Sequence, residues 1–351
     1  MKKVLLSLAA VAAIAACTKS EVEYDAPAEI GFAPVAKLST KAAVASTDYP
    51  DALNMYVFAN AGLDGNDEGT TVEAAECTEA YLKNAEFKHG SHATNVFGGV
   101  TPYYWPNVKS LVFSGYSKSG NVSSLTPSYV AVGNTWVIKM NGYAPGTGTA
   151  ATKTNPAGNN DLMWFPTTGS YTKREAAIAV QMKHACSWVT LNLKGDAITG
   201  ATTDAWKIHK LEITNVAHSG NVVLGATASW TPATDKSSLT AFNLSEGKAL
   251  TTEYVDYTNL DIKDMILIPQ PTQKLYVTYS FVSQKGAGTN GTDIVIEETK
   301  EIPLTYTSDN GWQPGVHYTY NITIGTKEIL VEPTVLDWTS GTGTNGENKV
   351  I

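Results

Sequence analysis

Two short patterns in the sequence carry residue types that could perform serine-based catalysis. Ser170-Tyr171-Thr172-Lys173 has the S-x-x-K spacing in which a lysine activates a serine, and Ser308-Asp309-Asn310 has the S-D-N spacing that accompanies it. The third part of that machinery, K-T-G, is absent after Asn310, and nothing around Ser170 indicates the helix that presents such a serine. The six histidines form no Ser-His-Asp or Cys-His arrangement. We therefore expect that the protein is not an enzyme.

Two groups of residues could bind a metal ion, and neither is complete. Asp64–Gly69 begins like a calcium-binding loop, but the twelfth position, where a bidentate acid is needed, is Ala75. His89 and His92 lie near Glu86, whereas a zinc site needs three or four committed ligands. We interpret the first group as a hydrated hairpin tip and the second as solvated loop residues. The sequence predicts neither a metal nor a cofactor.

The first seventeen residues predict export and a lipid anchor. Lys2 and Lys3 precede an uncharged apolar stretch, residues 4–16, which is shorter than the roughly 20 residues that span a bilayer. The stretch ends in Ile14-Ala15-Ala16-Cys17, the pattern of a bacterial lipobox, in which cleavage precedes a cysteine that is then acylated. We expect residues 1–16 to be a signal peptide and Cys17 to carry fatty acids such as palmitate. The alternative is an ordinary signal peptide beside which Cys17 occurs by chance.

Charge and cysteine content narrow the range of functions further. The net charge is −8, and it becomes −10 without residues 1–16, because Lys2 and Lys3 leave and no acidic residue does. An acidic chain with a single arginine, Arg174, is not suited to bind nucleic acid, since phosphates would be repelled. Cys77 and Cys186 could form a disulfide in an oxidising envelope, or they could be two buried, inert thiols.

The pattern of apolar residues predicts an all-β protein. Short segments rich in β-branched and aromatic residues alternate with stretches of Gly, Asn and Asp, as in β-sandwiches. They are Leu53–Ala59, Ser110–Ser117, Thr135–Met140, Lys274–Val282 and the stretch that contains Tyr318, Tyr320, Ile322 and Ile324 on one face. Val72–Lys83 is the best candidate for a short helix. The residues around His218–Asn221 predict a hairpin.

A chain of this length predicts about two domains. We place the boundary near residue 175, after the Gly/Thr/Asn-rich stretch 142–160, which gives domains at 17–175 and 176–351. The long apolar run Ala177–Lys194 changes from even to odd apolar positions around Cys186–Trp188. This change predicts either a bulge or a break between two strands.

Pro102-Tyr103-Tyr104-Trp105-Pro106 is the most aromatic motif in the chain. Its rings could stack on a sugar, or they could close one end of a sandwich as an apolar plug. We favour the packing role.

Several motifs, in their order along the chain, resemble the fimbrillin-like subunits of Bacteroides-type (type V) pili. They are the lipobox at Cys17, Ile30–Phe32 with the sequel Ser39–Ala42, Tyr103–Pro106, Asp161–Met163, Val180–Ala185, Trp312–Gly315 with Tyr318, Tyr320 and Ile322, and Val335–Trp338. The resemblance implies two tandem transthyretin-like β-sandwiches. It also implies a subunit that leaves the cell as a lipoprotein and polymerises with other fimbrial subunits by strand donation.

The resemblance assigns roles to three segments. The strand that a protease removes would contain Ile30 and Phe32, whose side chains would point the same way. The cut would fall between Lys41 and Ala42, although the family usually has arginine where this sequence has Lys41. The donated strand would come from the C-terminal segment, where Ile329, Val331 and Val335 alternate on one face and Pro333 interrupts them.

Two functions remain open from the sequence. The first is a structural or adhesive subunit of a fimbria on the cell surface, with the outer membrane as its anchor. The alternative is a lipid-anchored surface adhesin or glycan-binding protein that does not polymerise and that contacts host or bacterial ligands. A polymerising subunit needs N-terminal trimming and a donor strand, whereas a solitary binder needs neither.

Overall fold

The computed structural model describes residues 28–35, 53–62, 76–91, 96–106, 109–118, 125–145, 161–172, 176–196, 206–256, 265–271, 273–284, 286–289, 292–305, 311–325 and 329–337. Within these ranges the chain forms β-strands and no α-helix, which confirms the all-β prediction. No helix in the described part of the chain is long and apolar enough to cross a membrane. Cys17, Lys41 and Ala42 lie outside the described residues.

The strands are β1 (Gly31–Val35), β2 (Met55–Gly62), β3 (Cys77–His89), β4 (Phe97–Gly99), β5 (Leu111–Lys118), β6 (Ser128–Val132), β7 (Thr135–Tyr143), β8 (Leu162–Phe165), β9 (Ile178–Gln181), β10 (Lys183–His184), β11 (Ser187–Gly195), β12 (Trp206–Ala217), β13 (Gly220–Leu224), β14 (Ala228–Pro232), β15 (Lys236–Ala249), β16 (Val255–Asp256), β17 (Met265–Leu267), β18 (Lys274–Gln284), β19 (Ile294–Pro303), β20 (Val316–Ile324) and β21 (Ile329–Asp337).

The largest sheet has the strand order β10-β8-β5-β2-β3-β4-β1-β9. Its two outermost strands, β9 and β10, are consecutive in the chain and are separated only by Met182. The sheet is therefore rolled, so that one continuous segment provides both edges. Its interior is a core that includes Phe32, Phe87, Phe113 and Phe165.

A four-stranded sheet, β14-β13-β7-β6, covers the outside of this rolled sheet. The covering explains why β8 reads Leu-Met-Trp-Phe without alternation. Leu162 and Trp164 pack under the covering sheet, while Met163 and Phe165 face the interior of the roll. Strands that are buried on both faces have no reason to carry polar residues.

Two further sheets pack face to face around the C-terminal core. One has the order β16-β11-β20-β21, with β17 also paired to β11, and the other has the order β15-β12-β18-β19. The predicted alternation near the C-terminus is confirmed, because Tyr318, Tyr320, Ile322 and Ile324 are all at most 1% exposed.

The run Ala177–Lys194 contains a break and not a bulge. It forms β9, β10 and β11, and the chain leaves the rolled sheet between His184 and Ser187. Strands after residue 175 pair with strands before it: β9 with β1, β10 with β8, and β13 with β7. The two-domain division stays a prediction, and because β13 and β14 share a sheet with β7 and β6, no single cut near residue 175 separates the strand pairs.

Two local predictions are wrong. The part of Val72–Lys83 from Cys77 onwards is strand β3, whose side chains pair across to β2, so cross-strand packing overrides helical propensity there. The chain around His218–Asn221 turns between β12 and β13, but these strands do not pair with each other. β12 pairs with β15 and β18, whereas β13 pairs with β7 and β14. The turn therefore moves the chain from one sheet to another.

Candidate functional site

Strand β1 fills the seam between two strands that are distant from it in sequence. It is antiparallel to β4, with Phe32 opposite Phe97, and parallel to β9, with Phe32 opposite Ile178. Upstream of the strand, the Ile30 amide donates to the Tyr103 carbonyl at 2.8 Å. The rolled sheet is thus completed by β1, and β4 and β9 would become open edges without it.

The side chains of this segment anchor it in the core. Ile30 and Phe32 are both 0% exposed, which confirms the prediction that they share a buried face. The Phe32 ring meets Phe87 edge-to-face at a centroid distance of 4.9 Å and Phe113 at 5.3 Å. Phe165 lies 6.0 Å away in a tilted arrangement. Phe32 is therefore the central contact of the seam.

The backbone of β1 is held less firmly than its side chains. The strand has only five residues, and Pro34 has no N–H to donate to either neighbour. Its pairing with β9 is parallel, which is slightly weaker per residue than antiparallel pairing. The attachment of β1 consequently depends mainly on the burial of Ile30 and Phe32.

The walls of the seam, β4 and β9, were not predicted as site residues. The one local signal is the glycine pair that ends β4. A Cβ at Gly99 would meet the Thr101 carbonyl oxygen and the Tyr103 ring, so this position requires glycine. The chain after Gly99 runs so close to this glycine that Tyr103 packs against Phe87, with ring centroids 5.8 Å apart.

The aromatic motif beside the seam is largely a plug, as predicted. Trp105 is 3% exposed and its ring meets Phe113 edge-to-face, and Tyr103 is partly buried against the same core. Tyr104 is 44% exposed and forms an antiparallel bridge with Glu29, just ahead of β1. The motif thus closes the end of the roll at which β1 enters.

The predicted donor segment is β21, an outermost strand of the C-terminal sandwich. It pairs antiparallel with β20 over its whole length, from Ile329 opposite Ile324 to Asp337 opposite Val316. The register continues through Pro333, which an edge strand tolerates. Ile329, Val331 and Val335 are half-buried and pack on the C-terminal core. Their shared face is confirmed, and their role as a donor stays a prediction.

Three of the motifs that the sequence singled out meet where the chain passes from the roll to the C-terminal sheets. Asp161 Oδ2 lies 2.7 Å from His184 Nδ1, and the Ala185 amide donates to the Leu162 carbonyl. On the other side, the Gly315 amide donates to the Cys186 carbonyl. Sequence reasoning did not predict this junction, because each contact joins segments that are far apart in the chain.

Two titratable groups of this junction, His184 and Cys186, are buried, and Asp161 is partly buried. Burial raises the pKa of the Cys186 thiol well above its ordinary value, and the nearby Asp161 raises it further. Cys77 and Cys186 are both buried and form no disulfide, which supports the alternative of two buried thiols that do not pair.

The other groups that the sequence considered stay apart. Ser170 is among the described residues, whereas Lys173, its partner in the S-x-x-K pattern, is not. The Asp64–Gly69 loop and His92 also lie outside the described residues. Within the described ranges, no three His, Cys, Asp or Glu side chains are grouped so as to hold a metal ion.

Fold and seam together define an all-β protein whose first described strand completes its largest sheet between two strands that are distant in sequence. A family model described as fimbrillin-like matches residues 40–338, and the chain belongs to this family. The family is one of pilus subunits and cell adhesion proteins. Its members assemble with other fimbrial subunits at the cell surface. A search of curated proteins found no match.

Solved structures share the fold over most of the chain. A fimbrial protein from Bacteroides vulgatus is 16% identical, with a TM-score of 0.55, and the match covers 89% of this chain and 99% of that one. A candidate cell adhesion protein from Bacteroides uniformis is 15% identical, with a TM-score of 0.51 and the same two coverages. At these identities the similarity concerns the fold alone.

Proposed function

We propose that this chain is a fimbrial subunit that polymerises when β1 is removed and a strand of another subunit takes its place. The observation that carries the proposal is the position of β1 between β4 and β9, with Phe32 fully buried at its centre. Removal of such a strand leaves an apolar groove flanked by two free main-chain edges. An added strand can bind there through main-chain hydrogen bonds, with side chains that set its register.

The C-terminal strand carries the same pattern as the strand that it would replace. Ile30-x-Phe32-x-Pro34, which begins one residue before β1, corresponds to Ile329-x-Val331-x-Pro333 in β21. In that register Ile329 would take the place of Ile30 and Val331 would fill the Phe32 site. Pro333 would fall where Pro34 already dispenses with a main-chain donor. The repeated pattern supports β21 as the donor.

We further propose that the subunit reaches the surface as a lipoprotein, acylated at Cys17 in the outer membrane, and that it has no catalytic role. Cleavage after Lys41 would release the lipid together with β1. Lys41 stands where the family has arginine, and this departure favours the second candidate, a lipid-anchored adhesin that keeps β1 and does not polymerise.

The decisive experiment is the N-terminal sequence and intact mass of the protein in whole envelopes and in sheared appendages. A lipid-free form that begins near Ala42 in the sheared fraction is the expected result. A protein that always begins at acylated Cys17 and never enters that fraction would exclude polymerisation. Lys41→Gln should abolish the sheared form, and Lys37→Gln, a neighbouring lysine change, should not.

A further inference from the structure

Two edge strands in different sheets contain apolar stretches without a charged residue: the whole of β6 and the first three residues of β19. β6 is the outermost strand of the sheet β14-β13-β7-β6, and β19 is the outermost strand of the sheet β15-β12-β18-β19. No other strand in the described ranges pairs with the outer edge of either. Edge strands are usually protected from association by charged residues. β6, with the sequence Ser-Tyr-Val-Ala-Val, has none, and neither does Ile294–Ile296 at the start of β19.

Both edges expose large apolar side chains, and those of β19 are consecutive in the chain. Ile294, Val295 and Ile296 are 38%, 58% and 39% exposed, and Val132 at the end of β6 is 47% exposed. Three of the nine large apolar side chains that are exposed in the described part of the chain are thus consecutive in β19. Consecutive exposed apolar residues mark an interaction surface more often than scattered ones do.

The charges beside the two edges are of opposite sign. The sheet that contains β6 has a single charged side chain, Lys139, which lies on β7 opposite Ser128. In β19 the apolar start is followed by Glu297, which lies on the same face as Val295. Glu298 and Glu301, further along, are already paired with Lys300 and Lys274. Glu297 therefore follows the apolar residues directly, while Asp293, which accepts from the Gly286 amide at 2.9 Å, precedes them.

Charge also distinguishes between the partners that β19 could take. If β19 paired with a second β19 around Val295, Glu297 would lie opposite Asp293, and two like charges would oppose each other. If β6 paired with β19 with Val130 opposite Val295, Ser128 would lie opposite Glu297. Lys139, the cross-strand neighbour of Ser128 on β7, could then reach over this small residue to Glu297.

We propose that β6 of one copy pairs antiparallel with β19 of a second copy, with Val130 opposite Val295. Because the two edges are different surfaces, the contact is head-to-tail and can be repeated along a row of copies. It involves neither β1 nor β21 and so adds to the strand replacement proposed above. A five-residue strand makes few main-chain bonds, and the contact becomes effective where copies are already held at high local concentration, as in a fimbria.

The proposal is tested by disulfide cross-linking of the full chain in isolated envelopes and after purification in detergent. Copies that carry Val130→Cys are mixed with copies that carry Val295→Cys, since opposite cross-strand residues lie within about 5.5 Å and can be bridged. The parent chain is the background control, because Cys77 and Cys186 are buried. A mixture of Val130→Cys with Thr299→Cys, four residues along the same face of β19, tests the register.

The expected result is a cross-linked dimer from the Val130→Cys and Val295→Cys mixture, at several times the yield of any other combination. A dominant dimer from either variant alone would overturn the proposal in favour of self-pairing of that edge. A yield no higher than that of the Thr299→Cys mixture would overturn it entirely. Because the contact involves neither β1 nor β21, the cross-link can form whether or not strand replacement occurs, and the two proposals can fail separately.

Two further variants separate a specific contact from general stickiness. A second cross-link, between Ala131→Cys and Ile294→Cys, reports on the same register, because these two residues would also lie opposite each other. Val295→Lys should reduce the yield of this cross-link at least fivefold, whereas Leu244→Lys, at a 43% exposed position on the opposite edge strand β15, should leave it unchanged. Lys139→Glu and Glu297→Lys should each lower the cross-link yield by about twofold to fivefold, the effect of one exposed ion pair. The double reversal should restore the yield, and its failure to do so would refute the proposed register.

Discussion

Replacement of Phe32 by alanine would test the central role of β1 in the rolled sheet. The side chain is fully buried, and the change removes two edge-to-face contacts, with Phe87 and Phe113. Buried Phe→Ala changes cost about 3–5 kcal/mol, and the loss of two aromatic contacts places this one near the upper end, at about 4–5 kcal/mol. The untrimmed protein should lose this much of the free energy of unfolding of its rolled sheet.

Urea unfolding followed by tryptophan fluorescence measures this loss. Trp105 is a suitable reporter, because it is buried in the same core and its ring lies 5.7 Å from Phe113. A decrease of less than about 1 kcal/mol, the size of an ordinary surface change, would refute the conclusion that β1 completes this core.

The same substitution distinguishes a permanent strand from an exchangeable one. If β1 is removed during assembly, Phe32→Ala should destabilise the precursor and leave the stability of sheared, trimmed appendages unchanged. Phe113→Ala is the matched control, because Phe113 is equally buried but lies on β5, which stays in the subunit. It should weaken both forms, and equal effects of the two variants on appendages would show that β1 is retained.

Three further predictions concern the rest of the chain. Burial lowers the pKa of His317 from 6.5 to about 4, so the unfolded chain binds a proton at a higher pH than the folded chain does. The folded state therefore has its full stability above about pH 6.5, and it loses at most about 3 kcal/mol of its free energy of unfolding as the pH falls towards 4. His317→Gln should flatten this part of a denaturation series from pH 7 to 4.5, and an unchanged slope would contradict the assignment. Gly311→Ala should lower the free energy of unfolding by at least about 2 kcal/mol, because φ is +114° at this residue and a Cβ would meet the Gln270 carbonyl oxygen. The control Gly169→Ala should lower it by less than about 0.5 kcal/mol, and thermal or urea unfolding measures both. Asp161→Ala should lower the free energy of unfolding by about 3 kcal/mol, because it removes the carboxylate that contacts the buried His184. Glu212→Ala, beside the more exposed Lys210, should lower it by less than about 1 kcal/mol, and similar losses for the two variants would refute the distinction.

Much of the strand pattern could be predicted, because burial on one or both faces leaves a mark in the sequence. Tyr318, Tyr320 and Ile322 alternate and are buried on one face, and the change of period in Ala177–Lys194 is a real break between strands. The face shared by Ile30 and Phe32 was visible for the same reason. These are local properties, and local patterning is what a sequence displays directly.

Partnership between strands could not be predicted, because it depends on residues far apart in the chain. Nothing near His218–Asn221 shows that β12 and β13 belong to different sheets, and the local pattern is that of an ordinary hairpin. For the same reason the sequence did not predict that β4 and β9 flank β1. It also did not predict the contact between Asp161 and His184, which are 23 positions apart. In each case topology, and not propensity, decides the outcome.

The energetics of β1 indicate how strand replacement would have to be controlled. Main-chain hydrogen bonds are nearly independent of sequence, so any incoming strand could restore them, and the difference between strands lies in their side chains. Val331 is smaller than Phe32 and would fill the central site less completely, at a cost of a few kcal/mol. β1 also has the advantage of covalent attachment, which acts as a high effective concentration. A strand from another copy therefore cannot displace an intact β1 by affinity alone, and cutting the chain must come before exchange.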